Sequence, residues 1–243
     1  MQNDKEEIEK IENYAKATLG GMPDVIKLLG NHNIDMAKEQ FRENQVLYLG
    51  RKNLPKKVLS LTALAVSLAN GQTSSAMIHF KLAKNSGSGM LEVLDSIKAA
   101  KMAMMASTMS TMTSIKPIIE KQSEKNGKKD EVKRVMENIK NESGMDSLPE
   151  NLESLASVSF DLIGEHIKEK SELLSPFAVE QKYMFLMAFA VSVSIRYDEC
   201  AKTYLTQFFM NGGKVAEAED AIAVARFITG NKVMTSAVEI LKW

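Results

Sequence analysis

Apolar residues recur every three to four positions along most of the chain, which is the spacing of one face of a helix. Ile8, Ile11 and Ala15 follow this spacing near the N-terminus, and Val135 and Ile139 follow it past the middle. No stretch shows the strict alternation of apolar and polar residues that is typical of a half-buried strand. The pattern therefore predicts an all-α fold.

Two segments, residues 59–69 and 184–193, are apolar on every side of the predicted helix. Each is bounded by charged residues and falls well short of the roughly 20 residues that a membrane-spanning helix needs. We interpret both as helices buried in the core of the protein. We therefore expect no transmembrane segment and no membrane partner.

A block of sequence occurs twice, at residues 57–100 and 182–225, and the two copies align without a gap. Gly87 then pairs with Gly212. Glu92 pairs with Glu217, and Asp95 pairs with Asp220. Such a self-match at fixed spacing predicts a duplicated structural unit. Each copy reads as a buried helix, a polar turn, a second helix, a glycine stop and a third helix.

A polar segment without apolar periodicity separates the two copies at residues 121–130, and we interpret it as a linker. The predicted organisation is two tandem helical units, residues 1–120 and 131–243. The methionine-rich stretch in the first unit, residues 91–118, is predicted to be one long helix that packs against a neighbour or a second subunit.

The charge balance and the cysteine content exclude several classes of function. Lysine plus arginine equals aspartate plus glutamate at 31 each, so we expect no nucleic-acid partner. Cys200 is the single cysteine, which rules out an intrachain disulfide or a cysteine metal cluster and suits a reducing compartment. The charged N-terminus lacks the apolar core of a secretory signal, so we expect a cytoplasmic protein. His32 and His166 have no ligand spacing, and we expect neither a metal nor a cofactor.

The candidate chemistry lies where the second helix of each copy begins. A helix N-terminus presents free N–H groups and a positive dipole end, which favour a thiolate or another anion. Cys200 occupies this position in the second unit with Tyr204 one turn further on, and Ser75 occupies it in the first unit with His79 one turn further on. Residues four apart share a helix face, so each pair is predicted to point into one cavity.

The run ALAVSLANG, the four-residue turn after it, the following His79, the glycine stop and the Glu-x-x-Asp helix together resemble the AhpD-like alkylhydroperoxidase and carboxymuconolactone decarboxylase superfamily. The resemblance covers most of the chain as two tandem units. It implies an all-α fold and a homo-oligomer, for which a trimer is our guess. In the peroxidase branch it also implies a Cys-x-x-Cys pair at a helix start, a histidine four residues later and an upstream glutamate.

This chain departs from that peroxidase motif in both units. In the first unit the two cysteine positions, the histidine position and the glutamate position hold Gln72, Ser75, His79 and Ser60. In the second unit they hold Tyr197, Cys200, Tyr204 and Phe185. Neither unit has the full set, and a two-thiol cycle lacks its resolving cysteine.

The resemblance leaves three hypotheses for function. The first is weak hydroperoxide reduction through Cys200, of the peroxiredoxin type, with an external thiol as reductant. The second is a noncatalytic relative that binds a small molecule or serves in an assembly. The third is an enzyme similar to the lactone decarboxylases, in which His79, Arg196 and Tyr204 are the candidate polar groups.

Each candidate residue also has a purely structural interpretation. Arg196 and the helix start favour a Cys200 thiolate, but Asp198 and Glu199 oppose it, and free cysteines are among the most buried residues. His79 lies between apolar residues and fits a histidine whose hydrogen bonds are satisfied inside the core. A Ser75–His79 dyad would need an orienting third group, which the sequence does not identify.

Overall fold

The computed structural model describes residues 2–19, 21–122, 129–143 and 149–243. These residues form helices and turns, and no strand occurs among them, so the predicted all-α fold class is confirmed. The helices in chain order are α1 (Gln2–Leu19), α2 (Asp24–His32), α3 (Ile34–Asn44), α4 (Lys56–Ala69), α5 (Thr73–Asn85), α6 (Met90–Ser107), α7 (Met112–Gln122), α8 (Lys129–Ser143), α9 (Glu150–Val158), α10 (Phe160–Leu173), α11 (Gln181–Ser194), α12 (Asp198–Met210) and α13 (Val215–Ser236). A π-helical turn, Gln45–Leu49, follows α3, and short 3-10 turns lie at Thr108–Thr111 and Ile240–Lys242.

The two segments that are apolar on every side form α4 and α11, and they pack against each other at the centre of the molecule. Both helices also contact α6 and α13. Side chains from both halves of the sequence join in one hydrophobic core, which the helices α4 to α6 and α11 to α13 share. Among the residues that the structure describes, no helix is long and apolar enough to cross a membrane.

Gly87 and Gly212 end α5 and α12, as the sequence predicts. Their φ angles are +87° and +83°, in the left-handed region that a side chain disfavours. The residue after each glycine returns its N–H to a carbonyl five positions back, which closes the helix end. At the earlier turn Gly71 has a φ of +70°, and Arg196 adopts nearly the same angle, +59°, in the other half.

Asp95 on α6 holds the loop that leads into α11. Its side chain is fully buried and accepts hydrogen bonds from the backbone N–H groups of Phe177, Ala178 and Val179 at 2.7, 2.8 and 3.0 Å. The first half of the sequence thus satisfies the free amides that precede the core helix of the second half.

Asp220 on α13 makes the reciprocal contact with the loop that leads into α4. It is also fully buried, and it accepts from the N–H groups of Asn53 and Leu54 at 2.8 and 3.1 Å. The Arg51 guanidinium donates to the other carboxylate oxygen at 2.7 Å. Each half therefore fixes the entry to the core helix of the opposite half.

A second pair of contacts recurs at the same spacing along the chain. Lys57 lies 2.6 Å from Glu92, and Lys182 lies 3.0 Å from Glu217. These repeated contacts agree with the two-unit organisation, whose boundaries and origin by duplication stay a prediction. Most of the proposed linker, residues 121–130, lies outside the described residues.

Three helix boundaries differ from the sequence prediction. The methionine-rich helix is interrupted at Thr108–Thr111 by a 3-10 turn. The pair Ser175-Pro176 predicts a start of the second core helix at Pro176, and this prediction is wrong: α11 begins at Gln181, because Asp95 holds the preceding residues in a loop. Ser159 separates α9 from α10, with an extended φ of −157° and a side chain that caps α10.

Candidate functional site

The start of α5 is filled by packed core side chains. His79 is 5% exposed, and its Nδ1 lies 3.1 Å from the hydroxyl of Tyr48, which comes from the π-helical turn. The Tyr48 hydroxyl lies 3.4 Å from Ser60 Oγ, and its ring stacks on Phe227. Burial lowers the pKa of His79 to about 3, so the imidazole is neutral at pH 7. His79 is thus a buried histidine with a satisfied hydrogen bond.

Ser75 and His79 bond to different partners. Ser75 Oγ lies 3.2 Å from Ser67 Oγ on α4, and both hydroxyls are buried. The structure therefore does not join Ser75 and His79 in a hydrogen-bonded dyad. The third group that His79 contacts is Tyr48, and the irregular apolar run around this tyrosine carries no signal for the contact.

The start of α12 brings Cys200 and Tyr204 together, as their spacing predicts. Cys200 is 6% exposed and Tyr204 is 2% exposed, and the tyrosine hydroxyl forms a hydrogen bond with the thiol. Both side chains line a small pocket that is partly open to solvent, with an enclosed volume of about 20 Å³, room for roughly one or two water molecules. The thiol therefore lies at the wall of a cavity.

The other walls of this pocket come from helices outside the repeated block. The start of α9 and the 3-10 turn after α6 supply an apolar wall that includes Leu152 and Met109. The polar wall carries His166 and Lys170, which lie one turn apart on α10. Neither His166 nor Lys170 is marked in the sequence as a neighbour of Cys200, because their proximity to the thiol depends on tertiary packing.

The Lys170 ammonium has no hydrogen bond or ion pair with any of the residues that the structure describes. The side chain is half-buried, and burial lowers its pKa, while the neighbouring Cys200 acts in the opposite direction. The acid of the pocket, Glu199, lies 3.3 Å from Lys202 Nζ at the surface. Burial, and then the charge of Lys170, lowers the pKa of His166 to about 4, so this imidazole is neutral at pH 7.

The Cys200 thiol is protonated at neutral pH. Burial raises its pKa to about 12, although the Lys170 charge and the Tyr204 hydrogen bond both act to lower it. The expectation that Arg196 supplies the nearby positive charge is wrong, since Arg196 is exposed and the lysine comes from α10.

Asn151 also lines the pocket and pairs with Tyr197. It is 6% exposed, its Nδ2 donates to the hydroxyl of Tyr197, and its Oδ1 has no hydrogen-bond partner. A flip of the amide lets Oδ1 accept from the Tyr197 hydroxyl instead, so the two side chains form one hydrogen-bonded pair inside the protein. The sequence carried no signal for this residue beyond its place after Pro149 at a helix start.

The three polar groups considered for decarboxylase-like chemistry do not converge. Tyr204 lines the pocket, whereas His79 is buried in the other half and Arg196 is exposed. Across the described ranges, no three His, Cys, Asp or Glu side chains are arranged to hold a metal ion. The pocket instead combines one lysine, one carboxylate that pairs with Lys202 at the surface, a neutral imidazole, a protonated thiol and an apolar wall.

Comparison with known proteins gives one informative structural match. Neither a protein-family model nor a curated protein matches this sequence. A solved structure from Burkholderia xenovorans LB400, provisionally described as a gamma-carboxymuconolactone decarboxylase subunit, is similar with a TM-score of 0.78 and 13% sequence identity. The similarity covers 96% of this chain and 95% of that one, and at this identity it concerns the fold alone. The chain therefore has the carboxymuconolactone decarboxylase-like fold that the sequence resemblance implied.

Proposed function

We propose that this protein binds a small organic carboxylate in the pocket beside Cys200 and does not depend on the cysteine for binding. The observation that carries the proposal is the ammonium of Lys170, which lines the pocket and has no ion-pair partner within the described part of the chain. A bound carboxylate would supply the negative charge that pairs with this ammonium.

The physical reason is the cost of leaving a charged group partly desolvated. Burial disfavours the charged form of Lys170, and a bound anion restores it by adding a favourable charge interaction. The apolar side of the pocket, at Met109 and Leu152, suits the carbon skeleton of the ligand. The Burkholderia protein with this fold is named for a carboxylated lactone, which agrees with an anionic ligand.

Acetate, a carboxylate small enough for a pocket of this size, is a suitable probe, with binding measured by isothermal titration calorimetry. We expect Lys170→Met to weaken binding on the order of 10- to 100-fold, as loss of a charge-assisted contact predicts, and Lys170→Arg to keep most of it. Lys168→Met, at an exposed position on the same helix, is the matched control and keeps wild-type affinity. Unchanged affinity in Lys170→Met, or no heat of binding in the wild type, contradicts the proposal.

Hydroperoxide reduction is the second candidate, and it is favoured by the position of the Cys200 thiol beside Lys170 at the pocket wall. The thiolate would attack the O–O bond to give a sulfenic acid and an alcohol. One external thiol would condense with the sulfenic acid to a mixed disulfide and water, and a second would release Cys200 as the external disulfide forms. A peroxide-consumption assay on wild type and Cys200→Ser tests it. Equal rates in the two proteins exclude this activity.

Self-association into a homo-oligomer also stays a proposal, with the trimer as its specific form. An exposed apolar stripe on α6 supports it, formed by Met90, Leu94, Ile97 and Met104. Light scattering coupled to size-exclusion chromatography should show an oligomer for the wild type and a smaller species for the double variant Leu94→Glu, Ile97→Glu. A wild-type monomer at all concentrations would remove the proposal.

A further inference from the structure

The outer side of α13 carries a narrow row of exposed residues on a helix that is otherwise largely buried. These residues follow one another at three or four positions, which places them on one side of the helix, and we call them the α13 seam: Val215, Glu219, Ile222, Arg226 and Gly230. Val215 is 65% exposed and Ile222 is 44% exposed. Apolar side chains left in water at this spacing are typical of a contact surface.

The two charged residues of the α13 seam have no partner within the chain. Glu219 and Arg226 are exposed, and neither makes an ion pair or a hydrogen bond with any residue that the structure describes. They are separated by about two turns, roughly 10 Å along the helix axis, so they do not pair with each other. A partner surface with the opposite charges at the same spacing would satisfy both.

A second copy of α13 in antiparallel orientation has these charges. Glu219 lies three residues before Ile222 and Arg226 lies four residues after it, so a twofold axis at Ile222 sets each glutamate opposite the arginine of the other copy. The same axis brings Val215 near Gly230 of the other copy, where no side chain obstructs it. A β-carbon at Gly230 would meet no atom of its own chain within 4 Å, so packing inside the chain does not require a glycine there.

We infer that α13 forms a twofold interface between two copies of this chain, with Ile222 at its centre and a Glu219–Arg226 ion pair on either side. This interface is additional to the proposed self-association through α6 and does not rest on it. The exposed row of α6 cannot pair with itself in the same way. It has no acid for its Lys101, because Leu94 stands where α13 has Glu219.

Charge reversal tests the interface, with association measured by sedimentation equilibrium. Glu219→Arg and Arg226→Glu each set like charges opposite each other twice, and each should weaken the dimer on the order of 10- to 100-fold. The double variant Glu219→Arg, Arg226→Glu restores two pairs of opposite charge and should return to within about threefold of the wild type. Glu165→Arg, at an exposed position on α10, is the control and keeps wild-type association.

A glycine substitution tests the same surface without a change of charge. Gly230→Leu places a side chain in the open space that faces the other copy, and it should weaken the dimer about tenfold or more. Gly164→Leu is the matched control, because Gly164 is also an exposed glycine inside a helix with no atom within 4 Å of an added β-carbon. Both variants should stay folded in thermal unfolding, since leucine favours a helix more than glycine does.

The same measurements on the α6 variant Leu94→Glu, Ile97→Glu separate the two interfaces. If this variant is a dimer that Glu219→Arg dissociates, the α13 interface is supported, whether or not α6 contributes to a larger assembly. If this variant is a monomer, or if Glu219→Arg leaves association unchanged, the α13 interface is wrong and the contact through α6 is unaffected. If the double charge variant stays as weak as the single ones, the twofold arrangement is overturned. That result is expected if α13 instead meets α6 of another copy, with Lys101 opposite Glu219.

Discussion

The starts of α5 and α12 occupy corresponding places in the two halves, yet the first is filled and the second borders a pocket. At α5 the ring of Tyr48 packs edge-on against His79 and stacks on Phe227. At α12 the thiol of Cys200 faces a cavity that Lys170 also lines. The core helices and their caps are alike, so the difference arises in the segments that precede each core helix. The π-helical turn delivers a phenol to one site, whereas α10 delivers a lysine to the other.

The largest expected effect comes from removing the side chain of Tyr48, which fills the site beside His79. Tyr48 is fully buried, and Tyr48→Ala should lower the free energy of unfolding by about 3–5 kcal/mol, because it leaves a cavity in a packed core. Tyr48→Phe removes only the hydroxyl and should cost about 1 kcal/mol. Urea unfolding measures both. Equal losses in the two variants would show that the ring does not fill the site.

Asp95 and Asp220 each anchor the opposite half of the sequence. Removing either should lower the free energy of unfolding by slightly less, on the order of 2–4 kcal/mol, because buried backbone N–H groups lose their acceptor. Asp95→Ala and Asp220→Ala should behave alike if the two halves share one scaffold. Asp198→Ala, at an exposed position, is the control, and we expect it to cost under about 1 kcal/mol. Losses that differ strongly between Asp95 and Asp220 would contradict equivalence of the halves.

Acid should destabilise the protein through its buried histidines. The folded pKa of His79, about 3, lies below the ordinary value of 6.5, so the unfolded chain binds an extra proton between these limits. Stability is therefore intact above pH 6.5 and falls as the pH drops, by up to about 1.4 kcal/mol per pH unit for this residue. His166 acts in the same direction, but its effect ends near pH 4.

The difference between the two histidines can be measured from unfolding midpoints between pH 7 and pH 3. His79→Leu should flatten the pH dependence over the whole range. His166→Gln should flatten it less and chiefly above pH 4, because the half-buried imidazole is screened by solvent. His32→Gln, at an exposed position, is the control. A wild-type slope in His79→Leu would overturn the assignment of a neutral buried imidazole.

The smallest expected effect of a substitution concerns the reactivity of the Cys200 thiol. Because burial raises the pKa of Cys200 to about 12, iodoacetamide should label native protein far more slowly than unfolded protein at pH 8. Lys170→Met removes a charge that lowers this pKa and should slow the labelling further, roughly threefold. Faster labelling in Lys170→Met would contradict the contact between the lysine and the thiol.

Local features of this fold could be predicted from the sequence. The all-round apolar segments identified α4 and α11, and the glycines identified the ends of α5 and α12. Spacing along a single helix placed Cys200 beside Tyr204. These predictions succeed because each depends on residues that are close in the chain.

The features that distinguish the two sites could not be predicted in the same way. Tyr48 reaches His79 across 31 positions, and Lys170 reaches Cys200 from a different helix. The hydrogen bond between Asn151 and Tyr197 joins residues 46 positions apart in the sequence. The sequence showed that Asp95 and Asp220 correspond, but it did not show that each binds the opposite half.

The contacts of Asp95 and Asp220 with the opposite half must form in a fixed order during biosynthesis. Asp95 is already present when residues 177–179 leave the ribosome, whereas the amides of Asn53 and Leu54 must wait for Asp220, which is translated 166 or more positions later. The earlier core helix is thus the last to receive its anchor. A nascent chain halted before Asp220 lacks the acceptor for these two amides. The loop that leads into α4 is therefore anchored only when synthesis is nearly finished.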